Sequence, residues 1–135
     1  MKEFTWPVRV YWEDTDGGGV VYYANYLNYM ERARTEWLRA LGFHQWQLKQ
    51  EQGIAFVVTE LSVKYFVPAR LDDQLLVISE MPEIGGASFA FNQRIVREGA
   101  PDETMLSSAA SVACLDAVSF KPRRMPPELR ARLCP

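Results

Sequence analysis

The sequence predicts an α+β fold in which one long helix lies against a mainly antiparallel sheet. One segment with helical periodicity, residues 25–42, follows a short strand and a glycine-rich turn. Four segments rich in β-branched and aromatic residues then follow one another, separated by turns with Gly, Pro or Asp. Consecutive strands joined by turns pair mainly antiparallel, which gives two layers. The length fits a single domain, residues 1–135.

Composition argues against nucleic-acid binding, a membrane-spanning segment and a cysteine-based metal site. The net charge of -2 shows no basic excess, so no nucleic acid is expected as a partner. No apolar run approaches the ~20 residues of a membrane helix, so any membrane association is expected to be peripheral. Cys114 and Cys134 form no CxxC pair and no metal spacing with His44. With no signal peptide, this predicts a cytoplasmic protein, with Cys114 as a small core residue.

The N-terminal segment predicts a strand and then a sharp turn. Val8, Val10 and Trp12 alternate with other residues at a period of two, which is typical of a strand. Residues 14–19 are polar and contain three glycines. Glycine lets the backbone turn tightly and approach a ligand closely.

The long helix is predicted from caps and from one apolar stripe. Asn25 is expected to be the N-cap, with its side chain accepting a first-turn amide, and Gly42 is expected to end the helix. Arg32 and Glu36 are expected to pair on the other face. The apolar stripe comprises Tyr26, Met30, Ala33, Trp37 and Leu41.

The remaining chain predicts two short helices and the other strands. A helix over residues 45–51 should end at Gly53, and a terminal helix over residues 128–133 should follow Pro126 and Pro127. The strands are expected at residues 54–67, 74–81, 88–97 and 104–115. The helix covers one sheet face, and association through the other is one way to cover it, so we expect an oligomer.

Asp16 is the leading candidate for chemistry because it precedes a helix start. Helix N-termini offer free amides and a partial positive charge, which could stabilise a carbonyl oxygen. Asp16 could then attack that carbonyl or activate water. On spacing alone the simpler interpretation is favoured, in which Asp14 and Asp16 are turn and capping residues.

A resemblance to a known family changes that weighting. The run VYWEDTDGGGVVYYANY at residues 10–26 resembles the signature of 4-hydroxybenzoyl-CoA-type thioesterases. Further matching blocks lie at residues 31–39, 56–58, 65–73 and 120–123. Together they are similar to the YbgC type, the acyl-CoA thioesterases associated with the Tol-Pal system, over nearly the whole chain.

The resemblance implies a hotdog fold, a long helix wrapped by a curved antiparallel sheet of about five strands. It implies dimers with a continuous sheet, often paired into homotetramers, and active sites at the dimer interface. Asp16 matches the catalytic aspartate, and Tyr23 matches the position whose backbone amide polarises the thioester carbonyl. Many YbgC-type members have His at that position. The backbone amide survives the change to Tyr23, whereas the acyl preference of the His-bearing members does not carry over.

Other candidate residues have competing interpretations. His44 lies outside the motif and is expected to be a surface or packing residue. Trp12 and Tyr22 are expected in the core by default, with the lining of an acyl pocket as the alternative.

Cations after the last strand are the candidates for binding the CoA phosphates. In relatives, basic residues near the third hairpin and the last strand serve this purpose, but here the hairpin carries glycines at residues 85–86. Lys121, Arg123 and Arg124 therefore remain, with a solvated tail as the alternative interpretation.

The predicted function is hydrolysis of an acyl-CoA thioester to free acid and CoA. Asp16 would serve as nucleophile or general base, and no metal or redox cofactor is needed. A hotdog dehydratase is one alternative, although His44 is badly placed for it. A non-catalytic acyl-CoA-binding or scaffold protein of the Tol-Pal cell-envelope system is another. The acyl group, and acyl carrier protein as a donor, stay open.

Overall fold

The computed structural model describes residues 2–133, which form five strands and three helices. The strands are β1 (Glu3–Arg9), β2 (Ile54–Tyr65), β3 (Gln74–Ile84), β4 (Ser88–Arg97) and β5 (Ala100–Asp116). The helices are α1 (Tyr26–Ala40), α2 (Gln45–Gln52) and α3 (Pro127–Leu133). Two short 3-10 turns, Trp12–Asp14 and Tyr23–Asn25, lie between β1 and α1. None of the helices within residues 2–133 has the length and apolar character needed to cross a bilayer.

The five strands form one sheet in the order β1-β3-β4-β5-β2, and every neighbouring pair is antiparallel. The predicted antiparallel sheet is therefore confirmed. The prediction that the last four strands pair in sequence is wrong for β2, which pairs with β5 and not with β3. Residues 66–73 carry the chain from one side of the sheet to the other. A strand pattern fixes which side chains share a face but not which strand lies next to it.

Several predicted strand ends move. The first strand ends at Arg9, and Trp12 lies in a 3-10 turn, so the predicted strand through Trp12 is wrong. The chain turns there because the Asp14 carboxylate accepts a hydrogen bond from the Tyr11 amide at 2.9 Å. Strand β4 begins and ends as predicted. Strands β3 and β5 are longer than predicted, and β2 ends two residues earlier.

Helix α1 packs its predicted stripe against the sheet. Tyr26, Met30, Ala33 and Trp37 are buried, and Leu41 is partly buried. Gly42 follows the helix with φ of +93°, a conformation that favours glycine, so this predicted cap is confirmed.

Two polar contacts predicted for α1 are wrong. Asn25 makes no capping bond with its side chain, because the preceding 3-10 turn already gives it helical φ and ψ of -71° and -21°. Its Oδ1 instead accepts a bond from Asn28 Nδ2 at 2.8 Å. Glu36 pairs with Arg39 at 3.5 Å and not with Arg32.

The core consists of two clusters, one under each half of α1. The first surrounds Tyr29 and Met30, and the second surrounds Trp37 and Phe91. Cys114 is fully buried in the second cluster, as predicted, and its burial raises the pKa of the thiol. Cys134 lies outside the described residues.

The sequence predicted an uncovered sheet face opposite α1, but the exposed apolar side chains have a different distribution. The outward side chains of β5, such as Ser107, Ala109 and Ser111, are small or polar, so this part of the far sheet face exposes little apolar surface. Within the sheet, exposed large apolar side chains lie along the edge strand β2. Val58 and Leu61 expose 45% and 38% of their surface although they face buried residues of β5. A long edge strand with exposed apolar groups is a template for pairing with another chain.

Candidate active site

Asp16 lies in a small hairpin that projects before α1. The Asp16 amide donates to the Val20 carbonyl at 2.9 Å, and the Tyr22 amide donates to the Asp14 carbonyl at 2.9 Å. The Val21 amide donates to the Ala69 carbonyl at 2.8 Å, which attaches the hairpin to the segment after β2. Asp16 is therefore held at a defined place on the surface.

Two of the three glycines in this hairpin have an identifiable role. Gly19 has φ of +81°, which strains any other residue. A Cβ added at Gly18 would stand 3.2 Å from the Asp16 Oδ1 atom, so a side chain there would crowd the carboxylate. Gly17 shows neither constraint.

The structure separates the two aspartates of the turn. Asp14 is only 9% exposed, and its Oδ2 atom accepts the Tyr11 amide, so it is a turn residue. Asp16 is exposed, and its Oδ1 atom accepts the Gly18 amide at 2.7 Å. Among residues 2–133, nothing bonds to its Oδ2 atom. One oxygen is thus oriented by the backbone, while the other is free to meet a substrate or a water.

Tyr29 lies beneath this turn. Burial, and next the Asp14 carboxylate, raise the pKa of Tyr29 well above its ordinary value. Its hydroxyl lies near Asp14 and Asn25 but forms no hydrogen bond of normal geometry within the described part of the chain. The Tyr29 hydroxyl therefore stays protonated at neutral pH, next to the buried Asp14 carboxylate.

The backbone amide of Tyr23 opens the 3-10 turn that runs directly into α1. Amides in the first turn of a helix have no acceptor within the helix and lie at its positive end. The Tyr65 hydroxyl donates to the Tyr23 carbonyl at 2.8 Å and so fastens this turn to the end of β2. Sequence reasoning had no role for Tyr65, although it lies in one of the matching blocks. The Tyr23 ring itself is 64% exposed.

Residues 18–103 match the thioesterase superfamily. The chain belongs to the thioesterase superfamily. The acyl-CoA thioesterase YbgC of Haemophilus influenzae is 51% identical over 129 residues, which cover 95% of this chain and 92% of that protein. The acyl-CoA thioester hydrolase YbgC of Escherichia coli O157:H7 is 48% identical over 129 residues, covering 95% and 93%.

Two solved structures share this fold. A probable thioesterase from Bartonella henselae superimposes with a TM-score of 0.86 at 32% identity, covering 93% of this chain and 100% of that one. The 1,4-dihydroxy-2-naphthoyl-CoA thioesterase Slr0204 from Synechocystis gives a TM-score of 0.91 at 23% identity, covering 98% and 96%. The predicted resemblance and the predicted hotdog fold are both confirmed.

Trp12 and Tyr22 flank the Asp16 hairpin in this thioesterase-superfamily chain. Trp12 is 79% exposed and Tyr22 is 48% exposed, so the default expectation of core packing is wrong for both. His44 is exposed at the start of α2, which agrees with the expected surface position.

The cations after β5 differ in what they contact. Arg123 donates through Nη1 to the carbonyls of Gln52 and Gly53 at 2.6 and 3.1 Å. It also lies 3.6 Å from the Asp116 carboxylate. Backbone amides, first that of Ser119, lower the pKa of Asp116. Arg123 therefore fastens the segment after β5 to the end of α2.

Lys121 and Arg124 have free side chains by comparison. Neither forms an ion pair within residues 2–133. A Cβ added at Gly86 would stand 3.5 Å from the Arg124 guanidinium, so Arg124 lies against the third hairpin. The Met125 amide also donates to the Gly86 carbonyl at 2.9 Å. The segment around Arg124 therefore packs on the third hairpin at Gly86.

The two candidate groups lie at opposite ends of β2. Tyr65, at one end, holds the Tyr23 turn, and Gly53, at the other, accepts the Arg123 side chain. Strand β2 has 12 residues. At about 3.3 Å per residue its ends lie roughly 36 Å apart. One protomer therefore does not bring Asp16 next to the cations.

Proposed function

We propose that this chain hydrolyses acyl-CoA thioesters with Asp16 and the Tyr23 amide as its catalytic groups. The acyl-CoA thioester hydrolase activity itself is supported by the sequence identity of about 50% that the chain shares with the two YbgC proteins over 95% of its length. One observation carries the residue assignment. The exposed Asp16 carboxylate is oriented by the Gly18 amide and precedes the amides that open α1.

The proposed chemistry needs only these groups and water. The thioester carbonyl oxygen accepts a hydrogen bond from the Tyr23 amide, which stabilises the negative charge that develops on it. The free Asp16 oxygen either attacks the carbonyl carbon or removes a proton from an attacking water. When Asp16 attacks, the C–S bond breaks, CoA leaves as a thiolate that takes a proton from water, and a second step with water hydrolyses the acyl–Asp16 anhydride to the free acid. When water attacks, the C–S bond breaks directly to the free acid, and the proton taken by Asp16 passes to the CoA thiolate. Rapid-quench mass spectrometry separates these two routes, because only direct attack leaves an acyl group on Asp16.

The complete site is proposed to need a second copy of the chain. A two-fold axis beside β2 would pair this edge with its own copy, antiparallel, so that one end of the strand faces the other end of its partner. This would bring Lys121 and Arg124 of one protomer towards Asp16 of the partner. It would also cover Val58 and Leu61, which are exposed in one protomer.

Sedimentation at micromolar concentration tests this assembly, and a stable, active monomer would contradict it. Pairing of two dimers into a homotetramer, a cytoplasmic location, acyl carrier protein as an additional donor and association with the Tol-Pal system are proposed from the resemblance alone.

Two rival functions make different predictions. A non-catalytic acyl-CoA-binding scaffold needs no free carboxylate, whereas Asp16 is exposed with one oxygen unbonded within residues 2–133. A dehydratase would use a histidine, and His44 lies at the start of α2, away from the hairpin.

The decisive test is Asp16→Asn, assayed by thiol release from a panel of acyl-CoAs. Turnover should fall at least about a hundredfold, the low end of what a general base contributes. A folded Asp16→Asn variant with wild-type turnover would reject the assignment. Asp102→Asn, in the exposed stretch after the β4–β5 turn, is the matched control.

A further inference from the structure

A small cleft opens between α1 and β2, away from the Asp16 hairpin. Its volume is about 80 Å³. Phe56, Val58 and Phe91 form apolar walls, whereas α1 contributes Glu31, Arg34 and Thr35. These helix residues lie on a different face from the stripe that packs on the sheet, so α1 presents charge to a largely apolar slot.

Arg34 is the unusual member of this cleft. Its guanidinium is only partly exposed, and burial lowers its pKa. Nη1 donates to Gln93 Oε1 at 2.8 Å, and the guanidinium carbon lies 6.0 Å from the centre of the Phe91 ring. No carboxylate of residues 2–133 lies within 4.0 Å of it. Burying a charge without a counter-ion is costly, so the site favours an anion.

The position of Arg34 is fixed by a buried amide. Gln93 is 3% exposed, and its Nε2 donates to the Met30 carbonyl and to the Ser79 hydroxyl, both at 3.0 Å. These two bonds leave Gln93 Oε1 directed at Arg34. A guanidinium has five N–H donors, so most of them stay available after this contact.

Glu31 is the nearest negative group on α1, and it is turned towards another partner. Its Oε1 atom accepts a bond from the Thr35 hydroxyl at 2.8 Å. The negative charge of Glu31 favours the charged form of the Arg34 guanidinium from a distance. The two groups do not form an ion pair within 4.0 Å. A bound anion would therefore contact Arg34 directly and would be weakly repelled by the negative charge of Glu31.

Under the proposed two-fold pairing, this cleft lies next to the active site of the partner and not next to that of its own protomer. Along α1 of one protomer, Arg34 lies about 16 Å from Tyr23 at 1.5 Å per residue. Phe56 and Val58 belong to the half of β2 that would face the partner's Tyr65, which fastens the partner's Tyr23 turn. The acyl group of a thioester held by the partner would thus point into this cleft.

We propose that Arg34 makes this cleft a subsite for acyl groups that end in a carboxylate, the CoA thioesters of dicarboxylic acids. The inference rests on the proposed function and names a substrate class for it. A guanidinium binds a carboxylate with two parallel hydrogen bonds, and the aromatic walls exclude water from that contact.

The test compares glutaryl-CoA with hexanoyl-CoA, which is of similar length but neutral at its end. The wild-type ratio of kcat/KM should favour glutaryl-CoA. Arg34→Met should lower that ratio by about tenfold to a hundredfold, the range expected for a charged hydrogen bond. Arg32→Met, an exposed cation on the same helix, is the control and should leave the ratio unchanged. Glu31→Gln should raise the ratio, because it removes repulsion.

A binding measurement separates this inference from the proposed chemistry. In the Asp16→Asn background, titration calorimetry of both thioesters reports the same preference without turnover, and adding Arg34→Met should abolish it. If Arg34→Met does not fold, Arg34→Lys keeps the charge and should show a smaller loss. Preference for hexanoyl-CoA in the wild type, or equal losses on both substrates in the Arg34 variant, would overturn the inference. Wild-type turnover in Asp16→Asn with the binding preference intact would instead count against the role of Asp16 and leave the inference about Arg34 standing.

Discussion

Removing the Tyr65 hydroxyl should slow turnover without weakening substrate binding. This hydroxyl donates to the Tyr23 carbonyl at 2.8 Å and holds the turn whose amide is proposed to meet the thioester oxygen. A neutral hydrogen bond contributes about 0.5–1.5 kcal/mol net. Tyr65 is 47% exposed in one protomer, so water would replace part of the lost contact. A loss of roughly 0.7–1.4 kcal/mol in the transition state corresponds to a threefold to tenfold fall in kcat.

The assay is steady-state thiol release by the Tyr65→Phe variant. KM should stay nearly constant, because an oxyanion contact strengthens mainly in the transition state. Tyr11→Phe makes the same chemical change at an exposed hydroxyl that has no hydrogen bond within the described residues, and it should match the wild type. Sedimentation must show the same assembly for both variants. An unchanged kcat, or a change confined to KM, would refute the positioning role of Tyr65.

Three further outcomes follow from the contacts described. Replacing Lys121 and Arg124 with Ala should raise KM for acyl-CoA in a salt-dependent manner and leave acyl-pantetheine unaffected, because only the former carries the nucleotide phosphates; equal effects on both substrates would mean a structural role. Tyr29→Phe should change the free energy of unfolding by less than about 0.5 kcal/mol, because the buried hydroxyl has no normal hydrogen bond to lose. The protonated Glu80 carboxyl donates a hydrogen bond to Glu3, and this is the main cause that raises the pKa of Glu80, so the folded state binds that proton more tightly and stability rises as pH falls through this pKa. Glu80→Gln should therefore raise Tm slightly at neutral pH, and the gain should vanish in acid when followed by calorimetry.

The proposed site shows which functional residues a sequence can reveal. Asp16 and Tyr23 are close in the chain, so one motif contains both, and the hairpin that holds Asp16 leads directly into the turn that begins at Tyr23. Tyr65 and Arg34 reach the site region through contacts with distant residues. Their residue types alone gave no signal, because a tyrosine in a strand and an arginine in a helix are ordinary.

The sequence by itself determined the local structure of this protein. Helix α1 was predictable because its apolar stripe has helical spacing, and its end was predictable because Gly42 adopts a conformation that few other residues tolerate. The end of α2 at Gly53, with φ of +65°, follows from the same reasoning. These features depend on residues within a few positions of one another.

Only the tertiary structure decided which distant segments meet. The pairing of β2 with β5, the use of Arg123 to hold the end of α2, and the burial of Arg34 beside Gln93 all join residues more than forty positions apart. Alternation along a strand specifies a face but not a neighbour, and a charged residue looks the same in the sequence whether its partner is water or a buried amide. For that reason the sequence predicted the hairpin around Asp16, whereas the separation of the two halves of the proposed site along β2 emerged only from the fold.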